Sequence, residues 1–180
     1  NDPKARGTKA FGLIERGKVT FTMSHRKPAE NPRVLLPELK FGQRLLGLDV
    51  GAKTIGIALS DVGRIIATPT TTIRRTKFRD DVAQLKALVE EHEIAALIIG
   101  MPFNMDGSEG PRCQSVRQFA ANVLEVIDIP AALWDERLST VTAERALLEA
   151  DMSRKRRAEV IDKMAAAVIL QGALDLMSNQ

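Results

Sequence analysis

The stretch "LLGLDVGAKTIGIALSD", residues 45–61, restricts the fold more than any other part of the chain. Two apolar runs, 45–50 and 54–60, are separated by Gly51-Ala52-Lys53. That spacing predicts an antiparallel hairpin. In the second run Ile55, Ile57 and Leu59 alternate with Thr54, Gly56, Ala58 and Ser60, the period of a strand. The first run is apolar on both faces except for one residue, Asp49. A strand covered on both faces belongs inside a sheet flanked by helices. An ionised carboxylate inside it costs several kcal/mol unless something pairs with it. Asp49 is therefore the first residue whose presence asks for a chemical reason.

The rest of the chain extends this frame. "DVGR" predicts a second turn, and residues 65–72 a third strand antiparallel to the second. Residues 80–93 predict a helix with Val82, Leu85, Leu88 and Val89 on one face. Residues 95–99 form an apolar strand that ends at Gly100, followed by the polar loop "MPFNMDGSEGP". A second helix then turns Val116, Phe119, Ala120 and Val123 inward, and residues 129–134 make a short fifth strand. Ser139 or Thr140 caps a helix running to Ala150, "DMSRKRR" interrupts, and a last helix runs from about Ala158 to Met177. Three antiparallel strands followed by alternating strands and helices give an α/β fold, a mixed five-stranded sheet flanked by helices. This order is similar to that of the RNase H-like fold.

Composition narrows the chemistry. Among 180 residues there is one cysteine, Cys113, and there are two histidines, His25 and His92. Internal disulfides and multi-cysteine zinc sites are thereby excluded, and a cytoplasmic location fits. No apolar run is long enough for a membrane helix. The net charge of +3 is unevenly spread: residues 1–40 hold 9 Lys+Arg and 4 Asp+Glu, the remainder 17 and 19. The basic character sits in residues 1–41, whose scattered prolines and sparse apolar residues predict a disordered extension. Within it Met23 is a candidate start, which would make residues 1–22 a leader. Residues 42–180 are read as the folded domain.

Two further acidic positions join Asp49. Asp135 and Glu136, in "LWDERLST", fall at the end of the fifth strand, where α/β sheets place their sites. Asp162 shares a helix face with Ala165, Ala166, Ile169 and Ala173, a small apolar face that must pack on the sheet. Each acid has an ordinary explanation: Asp49 on turn amides, Asp135 paired with Arg137, Asp162 at a helix start. Three elements aiming acids at one end of a sheet favour a shared site. Carboxylates without nearby Cys or His select Mg²⁺ or Mn²⁺, and two such ions can drive phosphodiester hydrolysis.

From Leu45 to about Gln171 the chain resembles the YqgF family, RNase H-like proteins named as Holliday junction resolvases or pre-16S rRNA nucleases. The segments "LGLDVGAKTIGIALSD", "IIGMPFNMDGSEG", "DERLSTVTAERAL" and "IDKMAAAVILQ" carry the resemblance, in family order. It implies a divalent-metal-dependent nuclease of bacterial cytoplasm. Asp49, Glu136 and Asp162 would be its catalytic and metal-binding triad, with Asp135 as the substitute for Glu136. The segment before residue 42 lies outside the resemblance. The implied partners are pre-rRNA or branched DNA, with ribosomal precursor particles also possible.

Basic runs at two places suit phosphate binding. Arg74, Arg75, Lys77 and Arg79 follow the third strand, and Arg154, Lys155, Arg156 and Arg157 precede the last helix. Lys53 in the first turn, and Asn104 and Ser108 in the glycine-rich loop, complete the expected nucleic-acid contacts. Ser108 is also a candidate cap for the helix that follows. With 4% aromatic residues and no tyrosine, recognition through shape and backbone is expected, not base stacking. An actin-like or sugar-kinase-like ATPase would need a second glycine-rich phosphate hairpin, which this sequence lacks. A non-catalytic ribosome-assembly factor is the other rival.

Overall fold

The computed structural model describes residues 12–15, 18–21, 27–138 and 154–179. Strands β1 (Gly12–Glu15) and β2 (Lys18–Phe21) pair antiparallel, Gly12 opposite Phe21 and Glu15 opposite Lys18. The main sheet contains β3 (Arg44–Val50), β4 (Thr54–Ser60), β5 (Ala67–Arg74), β6 (Ile94–Met101) and β7 (Ala131–Asp135). Its spatial order is β5-β4-β3-β6-β7. The first three strands are antiparallel to one another, and β6 and β7 run parallel to β3. This is the mixed five-stranded sheet of the RNase H-like fold, with β3 at its centre.

Helices α1 (Phe78–Glu91) and α2 (Pro111–Val126) cover one face. Leu46, Leu48 and Val50 point into that layer, together with Val82, Leu85, Val116 and Phe119. Helix α3 (Arg154–Ser178) covers the other face, where Leu45, Ile98 and Trp134 meet Ala166, Ile169 and Leu170. The alternation along β3 thus sends Leu45, Gly47 and Asp49 toward α3. Two glycines let α3 lie close to the strands. A Cβ at Gly47 would stand 2.7 Å from Leu170 Cβ and 2.9 Å from the Ala166 carbonyl oxygen. A Cβ at Gly56 would run into the carbonyl of Asp162. Among the described residues no helix is long and apolar enough to cross a membrane.

The structure departs from the sequence reading in four places. Residues 1–41 were expected to be disordered, but residues 29–39 are built into the domain. The Ala29 N–H donates to the Ala131 carbonyl at 2.8 Å, and the Leu133 N–H donates to the Ala29 carbonyl at 2.8 Å, which covers the outer edge of β7. A 3₁₀ turn, Pro32–Glu38, follows; Asn31 caps it by accepting from the Arg33 N–H, and Leu35 is only 3% exposed against the α3 layer. The pairing of β1 with β2 is a second departure from disorder, and their β-branched and aromatic residues suit it. Third, the last helix begins at Arg154 and not near Ala158, since Arg and Lys are good helix formers and no Gly or Pro breaks the run. Fourth, β5 starts at Ala67, and Ile65 and Ile66 lie exposed in the preceding turn. There Asp61 accepts from the Ile65 and Ile66 N–H groups, and turn bonding replaces the strand ladder. The helix expected over 139–150 lies outside the described residues.

The role of the pre-42 segment has a direct consequence. Leu35→Ala should cost about 2–5 kcal/mol, as for other fully buried leucines. Urea unfolding at unchanged m-value would measure it; a loss below about 0.5 kcal/mol, the scale of a surface substitution, would mean that the segment only rests on the domain.

Candidate active site at the carboxyl end of the sheet

Asp49 is the penultimate residue of β3 and is 9% exposed. Opposite it on β4 is Gly56, and over Gly56 lies the backbone of Asp162 on α3. On its other side the parallel register pairs Leu48 with Ile99, so the next step along both strands sets Gly100 beside Asp49. A Cβ at Gly100 would stand 2.6 Å from Glu136 Oε1. The space left by two missing side chains is therefore occupied by the Glu136 carboxylate on one flank of Asp49 and by the Asp162 backbone on the other. Each arrives on a different element: Asp49 on β3, Glu136 on the turn after β7, Asp162 on α3. Among the described residues, no three acidic, His or Cys side chains draw together tightly enough to enclose a metal ion.

The neighbouring Asp135 has a different task. Its carboxylate receives a forked bond from Arg137, Nε to Oδ1 at 3.0 Å and Nη2 to Oδ2 at 2.6 Å. That bond holds the Asp135 carboxyl below its ordinary range. The pair is consequently present above the ordinary carboxylate pKa and fades as pH falls through the lowered value. Arg137 also lies over the Phe103 ring, 5.6 Å from its centroid. Asp135 thus anchors Arg137 beneath the loop after β6, while Glu136 faces α3.

A cleft of about 560 Å³ opens beside Glu136, between the loop after β6 and the start of α2. Phe103, Asn104, Arg112 and Arg137 help to line it. The loop is closed on itself: the Asn104 N–H donates to the Ser108 carbonyl at 3.0 Å, and Asn104 Nδ2 donates to Ser108 Oγ at 2.8 Å. Ser108 Oγ in turn donates to Asp106 Oδ1 at 2.6 Å. Ser108 does not cap α2, as its sequence position suggested; Gly110 occupies the cap, and Ser108 is held by Asp106 instead.

The basic residues divide. Lys53, Arg74, Lys77 and Arg79 are exposed at the same end of the sheet as Asp49. Arg75, expected among the phosphate contacts, is turned inward. Its Nη1 donates to the Gly51 carbonyl at 2.7 Å, its guanidinium lies 5.2 Å from the Phe119 ring centroid, and its Nε is 3.8 Å from Asp81 Oδ2. The side chains of Arg154, Lys155, Arg156 and Arg157 lie outside the described residues. Asp81 was not singled out in the sequence, although it is 1% exposed. The available signal was its spacing: it lies four residues before Leu85 and eight before Val89, on the buried face of α1.

A centre-strand aspartate with further acids at its flanks, on this sheet order, defines an RNase H-like protein of the nuclease type. The chain matches the RuvX family, described as Holliday junction resolvase, over residues 43–176. It belongs to that family, the same one as YqgF. A relative from Paramagnetospirillum magneticum, named as a proposed pre-16S rRNA nuclease, is 63% identical over 152 residues, 84% of this chain and 98% of its own length. That alignment is longer than the span from residue 42 to the C-terminus, so the likeness also reaches into the segment that packs on β7. A relative of the same name from Ruegeria pomeroyi is 62% identical over 135 residues, 75% of this chain and 88% of its own. Among solved structures, a RuvC from T. thermophilus in complex with a Holliday junction substrate covers 76% of this chain and 96% of its own at TM-score 0.45 and 13% identity. A likeness at that level says nothing about substrate.

Proposed function

We propose that this chain is a cytoplasmic endonuclease that uses Mg²⁺ or Mn²⁺ to hydrolyse phosphodiester bonds and matures the 5′ region of pre-16S rRNA. One observation carries the chemistry: Asp49, buried at the end of the central strand, has the Glu136 carboxylate over Gly100 on one flank and, on the other, the backbone of α3 at Asp162 over Gly56. The two glycines let α3 and Glu136 come close to Asp49, where any larger side chain would push them away. The donor set is oxygen only, which suits hard divalent cations. Asp49, Glu136 and Asp162 would hold them, and a cation would offset the repulsion among three carboxylates. When bound, such ions activate water and stabilise the leaving oxygen of a phosphodiester. The names borne by the relatives favour rRNA as substrate, whereas the family description favours branched DNA.

The remaining residues bind and orient. Lys53, Arg74, Lys77 and Arg79 hold backbone phosphates near Asp49, and the loop with Asn104 and Ser108 borders the path of the strand. Arg154, Lys155, Arg156 and Arg157 would add phosphate contacts from the start of α3. Neutralising Arg74, Lys77 and Arg79 together should weaken binding to a similar degree for all sequences. Each lost phosphate contact should flatten the salt dependence by about 0.7–0.9 in slope. Binding isotherms from low to physiological salt test this; an unchanged slope would remove these residues from the interface.

The substrate is decided by one purified preparation assayed on a precursor 16S rRNA 5′ segment and on a four-way DNA junction, with and without Mn²⁺. Metal-dependent cleavage of the RNA alone is expected. Cleavage of the junction alone would make the protein a resolvase. Cleavage of neither would leave the assembly-factor reading.

A further inference from the structure

A carboxylate sealed in an apolar layer must be satisfied or it destabilises the fold by several kcal/mol. Asp81, 1% exposed, lies on the face of the sheet opposite the three acids. Its Oδ1 accepts from the Thr76 N–H at 2.9 Å, and its Oδ2 faces Arg75 Nε at 3.8 Å. The Phe119 ring, packed edge-on by Phe78 with centroids 6.1 Å apart, supports the guanidinium from a second direction. Arg75 is thus held by an acid, an aromatic face and its own backbone. What it does with the remaining fork is specific. Nη1 donates to the Gly51 carbonyl at 2.7 Å, and the Arg75 backbone N–H donates to the Lys53 carbonyl at 2.9 Å. Both carbonyls belong to the turn that leaves β3, and Gly51 is two residues beyond Asp49.

We propose that Arg75, oriented by Asp81, is a positioning residue that clamps the β3–β4 turn and thereby sets Asp49 for cation binding. The inference rests on the reading of Asp49 as a metal ligand. The turn is short and its tip is exposed; the Gly51 N–H closes it on the Thr54 carbonyl at 2.9 Å, and the Arg75 side chain ties it to the segment after β5. Guanidinium geometry matters here: a fork can bond the Gly51 carbonyl while its carbon stays over the Phe119 ring, and an ammonium cannot do both. The same commitment removes Arg75 from the phosphate-binding run, in contrast to Arg74 beside it.

The test compares full-length wild type with Arg75→Lys, Arg75→Met, Asp81→Asn and Asp49→Asn. Mn²⁺ affinity is read from the electron paramagnetic resonance of free Mn²⁺, with no nucleic acid present. Affinity for a fluorescein-labelled pre-16S 5′ RNA is read by anisotropy in EDTA, and folding by circular dichroism and melting. Groups bonded directly to metal ligands typically contribute about 10–100-fold to affinity; Arg75 acts one step further out, through Gly51, so a weakening at the lower end, about tenfold, is expected for Arg75→Lys and Asp81→Asn, with RNA affinity unchanged. Arg75→Met carries the larger risk of unfolding; the Lys variant keeps the charge and most of the packing and decides the question if it does. A folded Arg75→Lys with wild-type Mn²⁺ affinity, or one that loses RNA affinity instead, overturns the inference. If Asp49→Asn itself binds Mn²⁺ like the wild type, the metal-site reading fails and the positioning role fails with it. Loss in Asp49→Asn without loss in the Arg75 and Asp81 variants rejects the positioning role alone.

Discussion

Asp49→Asn is expected to abolish phosphodiester cleavage while leaving nucleic-acid affinity nearly unchanged. Asparagine keeps the shape of the side chain, so β3 and its neighbours Gly56 and Gly100 retain their packing. What is lost is the negative charge at the centre of the acidic end. The proposed phosphate contacts lie elsewhere, on Lys53, Arg74, Lys77 and Arg79, and do not depend on it. A thermal melt supplies the second reading. Ligand binding stabilises the folded state by RT ln(1 + [L]/Kd), about 2.7 kcal/mol at a hundredfold excess over Kd. Mn²⁺ should therefore raise the melting temperature of the wild type, and the rise should vanish in Asp49→Asn. Cleavage by the variant at the wild-type rate, on RNA or on a DNA junction, would end the metal-nuclease reading. Loss of RNA affinity together with activity would show instead that Asp49 organises the binding surface.

Gly56→Ala should be the most damaging single methyl in the domain. The added Cβ meets the carbonyl of Asp162, and the Lys163 nitrogen lies 3.0 Å away. These are backbone atoms of a helix and cannot rotate aside as a side-chain tip would. The helix must lift from β4, opening the contacts of Ala165, Ala166 and Ile169 with the sheet. Overpacking ordinarily costs about 1–3 kcal/mol, and this case should reach or exceed the upper end. It should also displace Asp162 from Asp49, so that any folded fraction loses Mn²⁺ affinity. Gly63→Ala is the matched control, because the nearest atom there is the end of the Asp61 side chain at 3.0 Å. Equilibrium unfolding of the two variants side by side gives the comparison; similar stabilities would mean that α3 does not rest on Gly56.

Both predictions depend on a surface that the sequence describes only in part. Strand and helix periodicities determined the element order and a first core strand covered on both faces; the central position of β3 came from the sheet order. They also placed Asp162 on the small, buried face of α3, because an alternating strand and a 3.6-residue helix each allow one way to bury their apolar side. Periodicity is local, so it stopped at contacts between elements. Whether Asp135 or Glu136 approaches Asp49 depended on where Arg137 went, and Arg137 is held by Asp135 beside it and by Phe103 and the Met105 carbonyl in the loop after β6, far away along the chain. Arg75 read as one member of a basic run, and only the packing of α1 and α2 on the sheet turned it onto Asp81, Phe119 and Gly51. Residues 29–39 looked like tail because Pro32 and Pro37 and the scattered charges outweigh Val34, Leu35 and Leu36 in composition. Their place was decided by the open edge of β7, whose unpaired N–H and C=O groups accept a further extended residue. Composition registers what a segment is made of, but an unfilled edge exists only once the sheet has formed.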